Sequence, residues 1–252
     1  MPSPAFAHPR LRRPLRLGAG LSASVSGMDR ELHALSWWRL RSSALHRLAV
    51  MPSELFLLTA YRAGKGQGEA EFGDEWQLAL AGLQSVPSMF STPGAGTVVL
   101  AALTPLGMLA AFDSPLNGTQ FGAQWLGQLC GGEEERRLRE LLRATETPEQ
   151  AARAMGAWLE GRVRDRRLPH RSAGRVASAA MQLYSAEDGT AHDMQALASR
   201  IGITHLQLQR DFKAWFGLTP SEYTRLIRFQ RAAADLAAGK APSSAAAECF
   251  RV

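Results

Sequence analysis

The feature that most constrains the fold is the stretch from Asp193 to Lys240, which carries start and stop signals for three successive helices. Asp193 and Thr204 belong to the residue types that cap helix N-termini through a side-chain oxygen. Gly202 lies between them and is the residue type that most readily takes the left-handed conformation at a helix end. Two short helices joined by a tight turn, a helix-turn-helix unit, are therefore predicted.

The second helix of this unit has an apolar and a polar face. Leu208 and Phe212 are four residues apart, so they lie on one face and should pack against Leu197 and Ile201 of the first helix. Ala198 is small enough to let the two helices cross closely. The outer face is predicted to present six side chains to solvent: His205, Leu206, Gln207, Gln209, Arg210 and Lys213.

This outer face has the chemistry needed to contact double-stranded DNA. Glutamine and arginine carry paired hydrogen-bonding groups that match adenine and guanine edges in the major groove, which has room for one helix. Lys213, one turn further on, suits a phosphate contact. A polar outer face is also normal for any surface helix, so these residues alone leave both interpretations open.

A long third helix follows. Gly217 ends the second helix, and Thr219 and Pro220 start the third, whose inner side carries Leu226, Phe229 and Ala233. The stretch LASRIGITHLQLQRDFKAWFGLTPSEYTRLIRFQRA, residues 197–232, resembles the first helix-turn-helix unit and linking helix of AraC/XylS-type bacterial transcription regulators. It matches their Ala-x-x-x-Gly turn, the Leu-x-Arg-x-Phe of the recognition helix and the Gly-Leu-Thr-Pro-x-x-Tyr run.

The resemblance implies a cytoplasmic, sequence-specific transcriptional regulator that reads the major groove of double-stranded DNA with the helix near residues 205–216. Base contacts are implied at Leu206, Gln209 and Arg210. Phosphate contacts are implied at Lys213 and near the start of the linking helix, at Arg225. With Gln207 on the same outer face, the predicted DNA-binding set is Leu206, Gln207, Gln209, Arg210, Lys213 and Arg225.

The sequence departs from this family after the linking helix. AraC-type domains have two helix-turn-helix units, but residues 244–249 begin only one further helix before the chain ends at Val252. We expect a truncated second unit, and a homodimer would supply the second reading helix. The alternative interpretation is a regulator whose DNA reader is vestigial and which acts as a ligand-binding or partner-binding, heterodimerising protein.

Charge and composition divide the chain into four predicted segments. Residues 1–27 contain four arginines and no acid, and they are predicted to form a disordered basic tail, with Met28 as an alternative translation start. Residues 28–163 are predicted to form an α+β domain, and the resemblance to AraC-type regulators implies that this domain acts as a sensor or in dimerisation. Residues 164–174 are rich in charge and are predicted to form a linker, and residues 175–252 form the helix-turn-helix domain.

The predicted α+β domain consists of a small sheet followed by helices. Strands are expected over Glu54–Tyr61, Trp76–Leu83 and Thr97–Leu103, because these runs are separated by glycine-rich turn signals. Helices are expected to begin at Thr104-Pro105, near Glu133 and at Thr147-Pro148. Four tryptophans favour a plain core, with a pocket for a small-molecule effector as the alternative: Trp37, Trp38, Trp76 and Trp125.

Several other functions are not supported. The glycine cluster around Lys65 lacks the spacing of a phosphate-binding loop. Cys130 and Cys249 lie far apart, and neither has the spacing of a zinc site. No catalytic, metal-binding or cofactor motif is present, so a non-enzyme without a cofactor is expected. No run reaches the roughly 18 uncharged apolar residues that a membrane span needs, so a soluble protein without a membrane partner is expected.

Overall fold

The computed structural model describes most of the chain between residues 22 and 239. The described residues are 22–23, 28, 31–40, 46–50, 52–64, 75–83, 85–86, 88–92, 95–112, 114–115, 123–165, 171–185, 193–237 and 239. The strands are β1 Ser22–Ala23, β2 Leu32–Leu40, β3 His46–Val50, β4 Phe56–Ala63, β5 Gln77–Ala81, β6 Ser88–Thr92, β7 Gly96–Leu103 and β8 Ala123–Trp125. The helices are α1 Pro105–Ala111, α2 Leu126–Cys130, α3 Gly132–Arg143, α4 Pro148–Asp165, α5 Arg171–Ser185, α6 Met194–Ile201, α7 His205–Phe216 and α8 Pro220–Ala237.

Six strands form one antiparallel sheet in the order β1-β2-β7-β4-β5-β8, and β3 pairs with β6 in a separate ribbon. Val99 of β7 lies between Trp37 of β2 and Ala60 of β4, which places β7 and β4 at the centre of the sheet. Alternation buries Leu78 and Leu80 of β5 on one face. The prediction of a sheet combined with helices is confirmed, and β4, β5 and β7 overlap the three predicted strands.

The structure differs from the predicted segments at two places. Ser22 and Ala23, within the predicted disordered tail, pair with Ser36 and Leu35 of β2, while the rest of that tail lies outside the described residues. The predicted linker 164–174 is helical at both ends, because α4 continues to Asp165 and α5 begins at Arg171. Ala173 of α5 is completely buried, so packing extends this helix beyond the length that local composition indicates.

The α1 helix begins where Thr104 and Pro105 predicted it. The Thr104 side chain accepts a hydrogen bond from the Gly107 amide at 3.1 Å, and Pro105 occupies the first turn. The Thr104 amide donates to the main-chain carbonyl of Glu31 at 2.9 Å, which ties the start of α1 to the segment before β2. This prediction of a capped helix is therefore confirmed.

Helix α4 covers one face of the sheet by packing on β2 and β7. At its first turn the indole N–H of Trp37 donates to the carboxylate of Glu149 at 2.9 Å. A hydrogen bond from its own backbone amide and the one from Trp37 hold the pKa of Glu149 below its usual range. The opening of α4 is thus fixed on the sheet by a polar contact as well as by apolar packing.

One hydrophobic core runs from the sheet into the C-terminal helices. Helix α5 packs against α1 and also against α7 and α8. The same cluster contains Leu35 and Phe56 of the sheet, Val176 of α5 and Phe212 of α7, all of them buried. The helices that carry the predicted DNA reader therefore share their core with the sheet. Among the described helices, none is both long and apolar enough to cross a lipid bilayer.

Candidate nucleic-acid interface

Helices α6 and α7 form the predicted helix-turn-helix unit. The Asp193 carboxylate accepts from the Gln195 amide at 2.8 Å and so caps α6. Gly202 ends α6 in the left-handed conformation, with φ of 78°. The Thr204 hydroxyl then accepts from the Gln207 amide at 3.1 Å and caps α7, which ends at Gly217 with φ of 74°. The predicted caps and turn are confirmed at each of these positions.

The two helices pack closely at Ala198. This residue is buried, and its carbonyl accepts a hydrogen bond from the Ile203 amide at 3.1 Å across the turn. Leu197 of α6 and Leu208 and Phe212 of α7 are buried in the shared core. The inner faces of the unit are therefore packed as their spacing predicted.

The outer face of α7 is open in the described part of the chain. Leu206 is 56% exposed, and Arg210 and Lys213 are exposed at the positions four and seven residues further on. This spacing places the three side chains in one stripe along the helix. Gln209 is half-buried, and its amide nitrogen lies 3.3 Å from the His205 ring nitrogen Nε2. Four of the six predicted residues thus lie on or beside the outer stripe of α7.

Gln207 is placed differently from the expectation that its side chain faces solvent. Its amide donates to the Asp211 carboxylate at 2.6 Å, and the other oxygen of Asp211 accepts from the Arg175 guanidinium of α5 at 2.9 Å. Asp211 is buried, so its charge needs these partners. We call the three residues Gln207, Asp211 and Arg175 the α5–α7 clamp. The clamp turns the Gln207 side chain toward α5, and the sequence alone did not reveal it.

Arg225, the remaining predicted residue, is exposed on α8 one turn after its start. That start is a reciprocal capping box between Thr219 and Glu222. The Glu222 carboxylate accepts from the Thr219 amide at 2.7 Å, and the Glu222 amide donates to the Thr219 hydroxyl at 3.3 Å. The hydrogen bond from the Thr219 backbone, the largest influence, holds the pKa of Glu222 below its usual range.

The inner side of α8 only partly matches its prediction. Leu226 is buried, but Phe229 and Ala233 are half-buried. The face turned to the sheet instead buries Tyr223 and Gln230, whose side chains donate to main-chain carbonyls just before β4. The Tyr223 hydroxyl donates to the carbonyl of Glu54 at 3.3 Å, and the Gln230 amide donates to that of Pro52. These contacts join residues far apart in sequence, so no local pattern indicates them.

The four tryptophans do not share one environment. Trp37 and Trp76 are buried in the main core, as the plain-core interpretation predicted. Trp38 packs on a small separate cluster that includes Tyr61, and Trp125 is 49% exposed on edge strand β8.

Within the described ranges, no group of three or more histidine, cysteine or acidic side chains is placed to hold a metal ion. The predicted remnant of a second helix-turn-helix unit, residues 244–249, lies outside the described residues.

Known proteins offer few similarities to this chain. No family model matches it, and no curated protein matches it. Among solved structures, the chain is similar to the AraC-like transcriptional activator CuxR, with 14% identity, a TM-score of 0.31, and coverage of 86% of this chain and 87% of that one. It is also similar to a variant of apo ToxT from Vibrio cholerae strain SCE256, with 9% identity, a TM-score of 0.27, and coverage of 77% and 97%. Both scores are low, so neither similarity supports a conclusion about function.

Proposed function

We propose that this chain is a sequence-specific DNA-binding transcriptional regulator of AraC type, which reads the major groove with α7. The observation that carries the proposal is the contrast between the two faces of that helix. Leu208 and Phe212 are fully buried on the inner face, whereas Leu206, Arg210 and Lys213 are exposed in one outer stripe. A reading helix needs this combination of a rigid mounting and an open face.

The dimensions and chemistry of α7 support this role. Its 12 residues span about 18 Å, and a major groove of about 12 Å width admits one such helix. Arg210 suits bidentate pairing with a guanine, Gln209 with an adenine, and Leu206 apolar contact with a thymine methyl group. We assign these three residues to base contacts.

Two exposed cations are assigned to the DNA backbone. Lys213 lies further along the same stripe of α7, and Arg225 lies in the first turns of α8. Contacts of this kind fix the orientation of the protein on the duplex without reading its sequence. Gln207 is assigned a supporting role instead, because its amide donates to Asp211 within the α5–α7 clamp.

Selection from a randomised duplex pool, followed by gel-shift measurements, tests the proposal. Arg210→Ala should weaken binding to the selected site by about 1–3 kcal/mol and relax the preference at one base pair. Lys213→Ala should weaken binding to all duplexes similarly and lower the salt slope by about one. Arg153→Ala is the matched control, because Arg153 is an exposed arginine on α4. An unchanged preference in Arg210→Ala would remove the assigned readout.

The same measurement separates the proposal from a vestigial DNA reader. A vestigial reader would bind all duplexes weakly, with a steep dependence on salt and no selected sequence. A functional single reading helix should select half-sites about one helical turn apart and bind them as a homodimer. Stoichiometry on the selected duplex, measured by analytical ultracentrifugation, distinguishes a dimer from a monomer.

A further inference from the structure

A groove of about 370 Å³ lies between α3 and α4, away from the proposed DNA reader. Its volume is within the range of small-molecule sites in proteins, at the lower end. The side chains that define it come from both helices: Glu134, Arg137 and Leu141 of α3, and Trp158, Gly161 and Arg162 of α4.

Arg162 is a charged residue that the fold has almost completely buried beside this groove. Its Nε donates to the carbonyl of Ala111 at 2.8 Å, and its guanidinium carbon lies 5.6 Å from the Phe112 ring centroid and 5.1 Å from that of Trp158. Burying an arginine costs free energy, and buried ion pairs are commonly no more stabilising than apolar replacements. An arginine held this firmly beside two aromatic rings that also contact each other is therefore better explained by recognition of an anion than by stability.

Glu134 currently lies between two guanidinium groups. One of its carboxylate oxygens is 3.0 Å from Arg162, and the other is 3.8 Å from Arg137. Its side chain is 30% exposed, so it can leave this position for solvent more readily than Arg162, whose side chain is 6% exposed. The Glu134 carboxylate thus occupies the place where the anionic group of a ligand would bind. Two positively charged guanidinium groups face this one negative charge.

The rest of the groove is apolar and has room. A Cβ added to Gly161 would meet no atom within 4 Å, although glycine destabilises a helix interior relative to alanine. Leu141 is exposed along one side of the groove, and the indole of Trp158 is buried along the other. The Trp158 indole N–H has no hydrogen-bond partner in the described part of the chain. These features suit a flat apolar body attached to an anionic group.

We propose that the α3–α4 groove binds a small organic carboxylate, whose anionic group replaces Glu134 between Arg137 and Arg162 while its apolar body lies against Leu141 and Trp158. This site is independent of the DNA-binding proposal, because it is tested in the absence of DNA.

Calorimetric titration of the full chain with phenylacetate tests the site, with the neutral amide phenylacetamide as the charge control. Phenylacetate should bind saturably with one site per chain. Phenylacetamide should bind about tenfold more weakly or worse, because its neutral amide cannot form the bidentate ion pair that a carboxylate makes with a guanidinium group. Equal affinities, or no saturable binding of phenylacetate, would overturn the proposal.

Two substitutions change the affinity in opposite directions. Glu134→Gln removes the competing charge and should tighten phenylacetate binding roughly three- to fivefold, in line with a partly exposed ion pair. Gly161→Leu fills the groove and should weaken binding about tenfold or more. Gly161→Ala is its matched control and should leave the affinity within about twofold, since its methyl group enters open space.

All three variants should remain folded. Leucine and alanine are better helix formers than glycine, and glutamine at position 134 keeps an oxygen for Arg162. The site would be excluded if Gly161→Leu and Gly161→Ala bound phenylacetate equally. It would also be excluded if Glu134→Gln bound phenylacetate no more tightly than the unmodified chain.

Discussion

The ring of Phe56, the first residue of β4, packs against the ring of Phe216, the last residue of α7, with centroids 5.3 Å apart. Phe216 meets Phe212 edge-on at 5.1 Å, and Phe212 lies 5.7 Å from the ring of Tyr223 on α8. Aromatic pairs at such separations stabilise beyond the area that they bury. A continuous aromatic row therefore joins the centre of the sheet to the proposed reading helix.

Phe56 and Phe216 should be energetically coupled. In a double-mutant cycle, Phe56→Leu and Phe216→Leu are expected to show a coupling free energy of about 0.5–1.5 kcal/mol, because each truncation removes the same ring contact. Urea denaturation measures it. A cycle of Phe56→Leu with Leu206→Ala is the control and should be additive within about 0.5 kcal/mol, since Leu206 lies on the exposed face of α7. Additivity in the first cycle would show that the two rings act independently.

The α5–α7 clamp should contribute to stability. Asp211→Asn is expected to lower the free energy of unfolding by about 1–3 kcal/mol, because Arg175 loses the anion that its partly buried guanidinium faces. Thermal and chemical denaturation give the difference. Arg171→Ala is the matched control, because Arg171 is an exposed arginine one turn earlier on α5, and its effect should stay within about 0.5 kcal/mol. Equal effects of the two substitutions would contradict a role for the clamp.

The substitution Gln207→Ala distinguishes a structural role of this side chain from a role in contacting DNA bases. We expect Gln207→Ala to lower the free energy of unfolding by about 0.5–1.5 kcal/mol, because Asp211 loses one hydrogen bond. The preferred DNA sequence should remain unchanged, unlike that of Gln209→Ala, whose side chain lies beside the outer stripe of α7. Parallel selections from one randomised duplex pool compare the two variants. A base preference that shifts in Gln207→Ala would place this side chain in the groove instead.

Local chemistry made much of the fold predictable. A side-chain oxygen placed at a helix start, as at Thr104 or Thr204, acts on amides within three residues and leaves a readable signal. Strand β2 was missed because Leu32–Leu40 does not alternate regularly between apolar and polar residues. The sequence predicts a linker over the first turn of α5, because Ala173 becomes an apolar anchor only once it is buried.

The candidate site also has one part that the local sequence predicts and one part that only tertiary packing creates. The outer stripe with Leu206, Arg210 and Lys213 can be predicted from helical spacing, because all three residues belong to one short stretch of sequence. The clamp does not follow from it, because Arg175 lies 36 residues before Asp211 and meets it only after α5 and α7 pack. The main-chain carbonyls that accept from Tyr223 and Gln230 are separated from these residues by an even longer stretch of sequence. Tertiary pairing of this kind has no signature in a single sequence.

The capping box at the start of α8 should make stability depend on pH. Because the folded-state pKa of Glu222 is lowered, its contribution is fully present above the pKa of the unfolded chain and is lost as pH falls through the folded-state pKa. The stability difference between the unmodified chain and Glu222→Gln should therefore be largest near neutral pH and shrink under acid conditions. Urea denaturation across this pH range measures it, with exposed Glu140→Gln on α3 as the control. A difference that stays constant with pH would contradict the contribution of the Glu222 charge.

Two glycines offer a matched test of backbone conformation. A Cβ at either Gly202 or Gly161 would meet no atom within 4 Å, so the two sites differ in backbone conformation and not in space. Gly202 has φ of 78°, and Gly202→Ala should cost about 1–2 kcal/mol, because a left-handed alanine places its Cβ near the following carbonyl. Gly161 lies within α4, and Gly161→Ala should instead stabilise by about 0.5–1 kcal/mol. Urea denaturation of the two variants gives both signs, and a stabilising Gly202→Ala would mean that the turn between α6 and α7 does not need its left-handed residue.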